Sequence, residues 1–155
     1  MATIGGTNAP VCGGSGCGTI FKLTPTDALT VAYAFDGTEG YIPQALGQAT
    51  NGVFYGTTQY GGTYNDGQVF ALLAGLGPFV GLLPSSGNVG STVQILGSDL
   101  TGATSVSFNN IAAAFTVVST TLISATVPTG ATNGFVTVTT PARTLKSNVK
   151  FQVLP

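Results

Sequence analysis

Apolar and polar residues alternate with a period of two through most of the second half of the chain. The alternation recurs at least five times between residues 78 and 155. Successive side chains of a β-strand point to opposite faces of a sheet, so this pattern is typical of strands with one buried face. The polar and glycine-rich strings between the runs are typical of turns, and the segment is therefore predicted to form an antiparallel β-sandwich. The predicted inward-facing residues are Val93, Ile95, Val106, Phe108, Ile123, Ala125, Val127, Val136, Val138, Val149, Phe151 and Val153.

One turn in this half carries a specific signal. Asn109 and Asn110 separate Phe108 from Ile111. Two-residue hairpin loops need positive φ, which asparagine tolerates better than most residues. We therefore predict a tight hairpin at this point.

The first half contains two similar strings, GTIFKL at residues 18–23 and GQVFAL at 67–72. Between them the chain runs through LTVAYAF, the loop DGTEGYIP and VFYGTTQY. This order predicts a strand, a hairpin, a second strand, a loop and a third strand, with QALGQA as a further short strand. The string GGT precedes both copies, at residues 5–7 and 61–63. A repeat of this length with about four strands is typical of a propeller blade or a related array.

The two halves differ in composition on either side of Gly77 and Pro78. All five tyrosines lie before this point and none lies after it. Residues 1–77 carry a net charge of −3, whereas residues 78–155 carry +2. We therefore predict two domains, a β-repeat segment at 1–77 and a β-sandwich at 78–155, and an all-β fold with almost no helix.

The charge and histidine content exclude several classes of function. Only 6% of the residues are charged, so the chain lacks the field that attracts nucleic acid or an anionic membrane surface. Histidine is absent, which excludes Ser-His, Cys-His and His-metal chemistry. The acidic pair Asp36 and Glu39 lacks the ordered ligand spacing of a calcium loop and is predicted to lie in a solvated loop, with a weak cation site and an acid–base couple as the less favoured alternatives. We predict no catalytic, cofactor-binding or metal-binding residues and no cofactor.

No apolar run approaches the roughly 20 residues that a membrane-spanning helix needs, so membrane insertion is not predicted. The first residues, MATIGGTNAP, have neither the basic nor the apolar region of a signal peptide. We expect that such a peptide has been removed or that the chain is a fragment.

Cys12 and Cys17 are separated by four flexible residues in the string VCGGSGCG. Glycine lets the backbone bring the two Cα atoms within bridging distance, so a structural disulfide is the favoured interpretation. Free thiols and a reactive pair are the alternatives, but the spacing differs from C-x-x-C and a metal would lack further ligands. A disulfide favours an oxidising compartment.

The tyrosines of the first half are candidates for stacking on a sugar. Tyr55 lies inside VFYGTT and is predicted to pack in the sheet. Tyr60 and Tyr64, in the loop string QYGGTYNDG, are the remaining weak candidates for ligand contact. Packing or incidental exposure is the simpler explanation for both.

Arg143, Lys146 and Lys150 form a small basic cluster near the last predicted hairpin. Three charges give only a weak, salt-sensitive attraction to phosphates, so no nucleic-acid partner is predicted. Lys146 and Lys150 are instead expected to protect an exposed strand edge from pairing.

The strings GTIFKLTP, YAFDGTEGYIPQALGQATNGVFYGTT, QYGG and GQVFAL resemble the GloVer tandem repeat of bacterial secreted and surface proteins. The resemblance spans residues 5 to about 74 and implies kelch-like units that assemble as propeller blades. About one and a half units are present, whereas a closed propeller needs about four to eight blades. We therefore expect an open sheet whose exposed edges favour self-association into homo-oligomers.

Several spaced elements of the second half resemble the IPT/TIG immunoglobulin-like domain. They are P-x-S-G-x-x-G-x-x-V-x-I-x-G at 84–97, V-x-F-N at 106–109, A-x-F-x-V at 113–117 and I-x-A-x-V-P-x-G-x-x-x-G at 123–134. The resemblance covers nearly all of residues 78–155. It implies a spacer or interaction module, as found in extracellular proteins and enzymes and in some transcription factors and receptors.

Together these expectations describe an all-β, non-catalytic, secreted or cell-surface bacterial protein that contacts a protein or carbohydrate partner. Its first part is expected to form partial propeller-like blades, and its second part an immunoglobulin-like (IPT/TIG) β-sandwich. Two alternatives remain open: a glycan-binding module, and the accessory C-terminal end of a larger extracellular hydrolase.

Overall fold

The computed structural model describes residues 2–3, 12–14 and 16–155. These residues form fifteen β-strands and no α-helix, which confirms the predicted all-β fold. The chain divides into two compact units, the first formed by Met1–Ala49 and Val53–Leu76, the second by Thr50–Gly52 and Gly77–Pro155. The string GGT at residues 5–7 lies outside the described residues.

The first unit contains two three-stranded antiparallel sheets. Its strands are β1 (Ala2–Thr3), β2 (Thr19–Leu23), β3 (Leu29–Ala34), β4 (Tyr41–Gln48), β5 (Phe54–Tyr60) and β6 (Val69–Leu72). The first sheet has the order β1-β2-β3 and the second the order β4-β5-β6. Each strand therefore pairs with its neighbour in the chain, as in hairpin-connected sheets.

The predicted hairpin between β2 and β3 closes through a turn at Thr26 and Asp27. Asp27 has a φ of 60°, and its N–H donates to the Thr24 carbonyl at 3.0 Å. The Thr24 hydroxyl accepts from the Ala28 N–H at 3.1 Å. This side chain satisfies a backbone donor within the turn, which is the usual role of threonine in such loops.

Strand β4 is longer than the short strand predicted at QALGQA, because it begins at Tyr41. Ile42 has a φ of 57°, and the pairing with β5 shifts register between Pro43 and Leu46. Proline has no N–H for a ladder and is confined to edge strands or bulges, so the residues YIP resemble a loop in sequence. The sheet accommodates Pro43 because β4 is an edge strand with irregular register.

The second unit is a sandwich of two sheets. Its strands are β7 (Gly81–Leu83), β8 (Ser86–Asn88), β9 (Thr92–Leu96), β10 (Ser105–Phe108), β11 (Ile111–Ala112), β12 (Phe115–Ser119), β13 (Leu122–Thr126), β14 (Gly134–Thr139) and β15 (Thr144–Leu154). One sheet has the order β11-β10-β14-β15-β8, and the other the order β12-β13-β9-β7. The strand pairs are antiparallel except that of β15 with β8, which is parallel.

The apolar faces of these strands form one continuous core of fourteen buried residues. The ring centroids of Phe108 and Phe151 lie 5.0 Å apart within it, in an edge-to-face arrangement. Ten of the twelve predicted inward-facing residues are buried, and Val153 packs against the core. The alternation in the sequence therefore identifies most of the core.

Four core residues lie outside the alternating pattern that predicted the core: Val80, Leu100, Ala131 and Leu145. Leu100 is in a turn but is fully buried. A Cβ atom at Gly97 would lie 2.9 Å from the Leu100 side chain and 3.1 Å from that of Val80. The absence of a side chain at Gly97 therefore allows both residues to pack closely there.

The hairpin predicted at Asn109 and Asn110 is confirmed. The two residues have φ values of 44° and 71°, and they connect the paired residues Phe108 and Ile111. Positive φ at both central residues defines the turn whose twist matches that of the flanking strands. A Cβ atom at Gly134 would overlap the Asn109 side chain, so glycine at this position leaves room for the turn.

The prediction that Val149 faces the core is wrong, since this side chain is 43% exposed. The pairing of β14 with β15 shifts register between Phe135 and Thr137, so that β15 has two extra residues there. Val149 lies in this irregular segment and leaves the inward alternation that Leu145 and Phe151 keep. Ser147 is buried instead: its hydroxyl accepts from the Val136 N–H at 3.0 Å and donates to the Val149 carbonyl at 2.6 Å. A polar residue in the string KSNVK therefore takes an inward position because the irregular backbone needs its hydroxyl.

Candidate interaction surface

The first unit has a small apolar core between its two sheets. Phe35 is the central ring, 1% exposed, and its centroid lies 5.0 Å from that of Tyr33 and 5.2 Å from that of Phe70. Both ring pairs have the edge-to-face geometry that aromatic side chains favour. Since Phe70 belongs to the second sheet, these contacts join the two sheets of the unit.

A disulfide joins Cys12 and Cys17, whose Cα atoms are 5.1 Å apart. Both cysteines are buried and pack in the same cluster as Ile20 and Phe35. Gly13 and Gly14 have φ values of 66° and 80°, so the intervening loop uses a backbone conformation that glycine adopts without strain. The disulfide thus forms part of the core of the first unit.

An open apolar groove of about 540 Å³ lies beside this core. Its walls come from β2, β3, β4 and β5 and from β6 with the residues that follow it. Among the residues that line it are Phe21, Leu23, Leu46, Phe54, Leu72 and Leu76. A cavity of this size with mainly apolar walls is typical of a site that binds apolar groups of a ligand or partner.

Close packing explains the glycine at position 56 in β5. A Cβ atom at Gly56 would lie 2.5 Å from the ring of Phe70 and 2.4 Å from the Ala45 carbonyl oxygen. Gly56 is the register partner of Phe70 across β5 and β6, so the aromatic ring covers the glycine. The glycine in the string FYGTT therefore serves packing of the sheet rather than ligand chemistry.

The structure places the two tyrosine candidates in different surroundings. Tyr60 is 37% exposed and its ring stacks on Tyr41, with centroids 5.3 Å apart and an interplanar angle of 26°. Tyr64 is 85% exposed in the loop after β5. Within the described part of the chain, no ring pair joins Tyr60 to Tyr64. Tyr55, which was predicted to pack in the sheet, is 43% exposed.

The loop that carries Tyr64 is held by Asn65, a residue that the sequence did not single out. Asn65 has a φ of 62°, and its side-chain oxygen accepts from the Gly61 N–H at 3.0 Å. The Tyr41 hydroxyl donates to the same oxygen at 3.4 Å. The tripeptide Asn65–Asp66–Gly67 is a local turn signal that predicts such a conformation, but the contact with Tyr41 joins residues 24 positions apart.

The carboxylate of Asp36 is engaged by its own loop. The Thr38 hydroxyl donates to Asp36 Oδ1 at 2.6 Å and the Thr38 N–H donates to the same atom at 2.9 Å. These bonds favour the ionised form, so they lower the pKa of Asp36 below its ordinary value. Within the described residues, no group of three or more His, Cys, Asp or Glu side chains is placed so that it could hold a metal ion.

The basic residues of the second unit pack on an aromatic ring. Lys146 Nζ lies 3.9 Å and Lys150 Nζ 5.8 Å from the centroid of Phe135, within the range of cation–π contacts. The expectation that the two lysines guard an open strand edge is wrong. Their strand pairs with β14 on one side, and on the other Val80 exchanges backbone hydrogen bonds with Lys146 and Asn148.

Within the described residues, no helix has the length and apolarity needed to cross a membrane.

Residues 79–153 match the family model of the IPT/TIG domain. The match confirms the IPT/TIG prediction for the second part of the chain and agrees with its two-sheet sandwich. IPT/TIG domains are immunoglobulin-like, non-catalytic domains that serve in interactions or as spacers. A search of the curated proteins finds no match to the chain.

Proposed function

We propose that this chain is a non-catalytic interaction protein that works outside the cell or on its surface. In this proposal the IPT/TIG domain is a spacer and the first unit is the region that contacts a partner. The first unit is a piece of a longer array of propeller-like repeats, as the resemblance of its strings to GloVer repeats implies. Such an array presents strand edges and apolar faces that a neighbouring unit or a partner covers.

One observation carries the proposal: apolar side chains of the first unit are more exposed than any in the second. Tyr64, Val69 and Leu73 are 85%, 75% and 81% exposed, whereas the largest value for a large apolar side chain in the second unit is 58%. Leu29 and Val31 are exposed on β3, and Leu23 is exposed on β2. Leu23 and Leu73 also line the apolar groove of this unit, and exposed apolar surface of this kind is a common mark of an interaction site.

Two further properties support a location outside the cytoplasm. Disulfides such as Cys12–Cys17 persist in oxidising compartments and are rare in the cytosol. The polarity of the chain comes mainly from Thr, Ser, Asn and Gly rather than from charged residues, which make up 6%. Both properties fit a secreted or surface-exposed protein.

The test is to pan a random peptide library on the immobilised, oxidised full chain. We expect enrichment of peptides that bind the wild type and bind about tenfold more weakly to the variant Leu29→Lys/Leu73→Lys, because two charges then lie in the proposed contact region. The matched control is Val89→Lys/Val118→Lys, which places the same charges on exposed apolar positions of the second unit. Absence of enrichment, or equal losses in both variants, would contradict the proposal.

A glycan-binding role is a second candidate, and the stack of Tyr60 on Tyr41 favours it. A sugar ring packs on such a tyrosine face, and Tyr64 lies exposed in the loop that Asn65 ties to Tyr41. A glycan array probed with the full chain and with Tyr60→Ala tests this role. We expect binding that Tyr60→Ala removes if the candidate holds, and an array without signal would eliminate it.

A further inference from the structure

The two similar strings of the first unit adopt the same local structure. Each begins with a glycine of positive φ, 107° at Gly18 and 88° at Gly67. Each then forms a strand, β2 or β6, that pairs antiparallel with the strand before it, β1 or β5. The strand β2 and the strand β6 are therefore two copies of one structural position, forty-nine residues apart.

The copies differ in what lies on their second edge. Strand β2 has β3 there, paired from Leu23↔Leu29 to Thr19↔Ala34. In the described part of the chain no strand pairs with the second edge of β6. The exposure of equivalent side chains also differs. Ile20 is 3% exposed in the core of the first unit, whereas Val69 is 75% exposed on the face of β6 opposite to Phe70, which packs against that core.

Backbone hydrogen bonds show which residues of β6 face the open edge. The Thr58 N–H donates to the Gln68 carbonyl, so the backbone polar groups of Gln68 are directed toward β5. Backbone groups alternate in direction along an antiparallel strand, which directs those of Val69 and Ala71 away from β5. In the other copy the Phe35 N–H donates to the Gly18 carbonyl. By the same alternation, the edge of β2 that corresponds to the open edge of β6 is directed toward β3.

We propose that the open edge of β6 binds an extended segment of another protein that has the chemistry of residues 29–35, LTVAYAF. This inference rests on the proposed interaction role and names the kind of partner. The segment is uncharged, alternates apolar residues with small or hydroxyl residues, and ends in two aromatic residues separated by one position. The edge that receives it, Val69–Leu72, is also uncharged, so no ion is desolvated when the strands pair.

The β2–β3 pairing also fixes the register of the bound segment. Ile20 is opposite Tyr33, Phe21 opposite Val31, and Leu23 opposite Leu29. A shift of forty-nine residues places Val69 opposite the tyrosine of the segment, Phe70 opposite its valine and Leu72 opposite its first leucine. The two aromatic residues then cover Val69 as Tyr33 and Phe35 pack in the cluster with Ile20.

The segment comes from a different protein rather than from a second copy of this chain. The β3 strand of each copy is already paired with its own β2 through the edge that this register uses. A second copy would have to give up that pairing before it donated β3 to β6. A free segment of the same chemistry has no such competing contact.

The experiment measures binding of a labelled LTVAYAF peptide with lysine tails to the oxidised full chain by fluorescence anisotropy. Val69→Pro removes an N–H that is directed away from β5, and we expect it to weaken binding about tenfold or more. Val118→Pro is the matched control, because Val118 is an exposed valine at an irregular position of the edge strand β12. A peptide of scrambled sequence is the control for non-specific apolar binding.

A second variant tests the register without a proline substitution, so its result does not depend on whether the fold tolerates proline at position 69. A peptide with Cys in place of its tyrosine is expected to form a disulfide faster with Val69→Cys than with Gln68→Cys. Tyrosine circular dichroism of each variant reports whether the first unit has kept its fold, since all five tyrosines lie in this unit.

Three outcomes would overturn the proposal: no binding of the peptide, equal binding to wild type and Val69→Pro, or faster cross-linking at Gln68→Cys. Self-association that Val69→Pro removes, without peptide binding, would overturn it in favour of pairing between copies. If library peptides bind the first unit but Val69→Pro leaves their affinity unchanged, the interaction role stands and this edge is not its site.

Discussion

The two units have similar lengths but differ in how much apolar surface they bury. The second unit has fourteen buried residues in one core. The described residues of the first unit contribute four to theirs, and two of these are the cysteines of one disulfide. A sandwich covers the apolar face of each sheet with the other sheet, whereas two short three-stranded sheets leave faces and edges open.

The two units therefore depend on different sources of stability. The second depends on close packing, and the first depends on a few aromatic contacts and a covalent bond. The tyrosines make the difference measurable, because all five belong to the first unit and tryptophan is absent. Tyrosine fluorescence therefore reports on the first unit, while far-ultraviolet circular dichroism reports on both.

The largest expected effect is that of Phe108→Ala in the core of the second unit. Phe108 is 1% exposed and packs edge-to-face on Phe151, so the substitution should cost about 3–5 kcal/mol of unfolding free energy. We expect an earlier transition by circular dichroism in urea and an unchanged transition by tyrosine fluorescence. Val69→Ala, on an exposed side chain, is the control and should stay within about 0.5 kcal/mol. If both signals shifted together, the units would not unfold independently and the comparison would fail.

Removal of the disulfide should affect the first unit alone. Replacement of Cys12 and Cys17 by serine is expected to cost about 2–4 kcal/mol, because the unfolded chain regains the freedom that the bridge removes. The tyrosine transition should move to lower urea. Reductant should shift the wild type in the same way but leave the double variant unchanged. Equal intact masses before and after reduction, instead of a difference of about 2 Da, would show that the bridge is absent.

Ser147→Ala tests a buried polar residue that completes the hydrogen bonding of the second unit. The variant leaves the buried Val136 N–H without its acceptor, at an expected cost of about 1–3 kcal/mol. Ser105→Ala, on an exposed serine of β10, is the matched control and should be close to neutral. Equal stability of the two variants in urea denaturation would contradict the assigned role of Ser147.

The smallest effect concerns the loop at Asp36. The pKa of Asp36 is lowered in the folded state, so the ionised carboxylate stabilises the fold at any pH above the ordinary aspartate pKa. This contribution is lost as the pH falls below about 4 and through the lowered pKa. We expect the Thr38 amide resonance to move in that range, because this N–H is bonded to the carboxylate. Asp36→Asn should abolish the movement, whereas Asp27→Asn should leave it intact. A Thr38 amide that is indifferent to pH would refute the contact.

Local signals in the sequence predicted much of the second unit. The alternating runs identify Val93, Ile95 and most other core residues because one face of each strand is buried throughout. Asn109 and Asn110 predict their turn because the requirement for positive φ is a property of two adjacent residues. Neither inference needs knowledge of which strands pair.

Features that depend on pairing were not predictable in the same way. Val149 is exposed because β14 and β15 shift register, and nothing in the alternation of β15 alone reveals a shift against its neighbour. Tyr60 stacks on Tyr41 because β4 and β5 place them opposite each other. The open edge of β6 likewise follows from the topology of the sheet, although the similarity of the two strings identified the equivalent strand β2.

The parallel pairing of β15 with β8 determines how the second unit responds to tension. β8 lies near the beginning of this unit and β15 is its last strand, and the two are paired in register from Gln152↔Ser86 to Leu154↔Asn88. A force that stretches the unit between its two ends pulls these parallel strands in opposite directions along their axes. The hydrogen bonds between them are then loaded together in shear instead of being opened one at a time. The second unit is therefore expected to resist a force that pulls its two ends apart more strongly than one that peels a single strand from its edge.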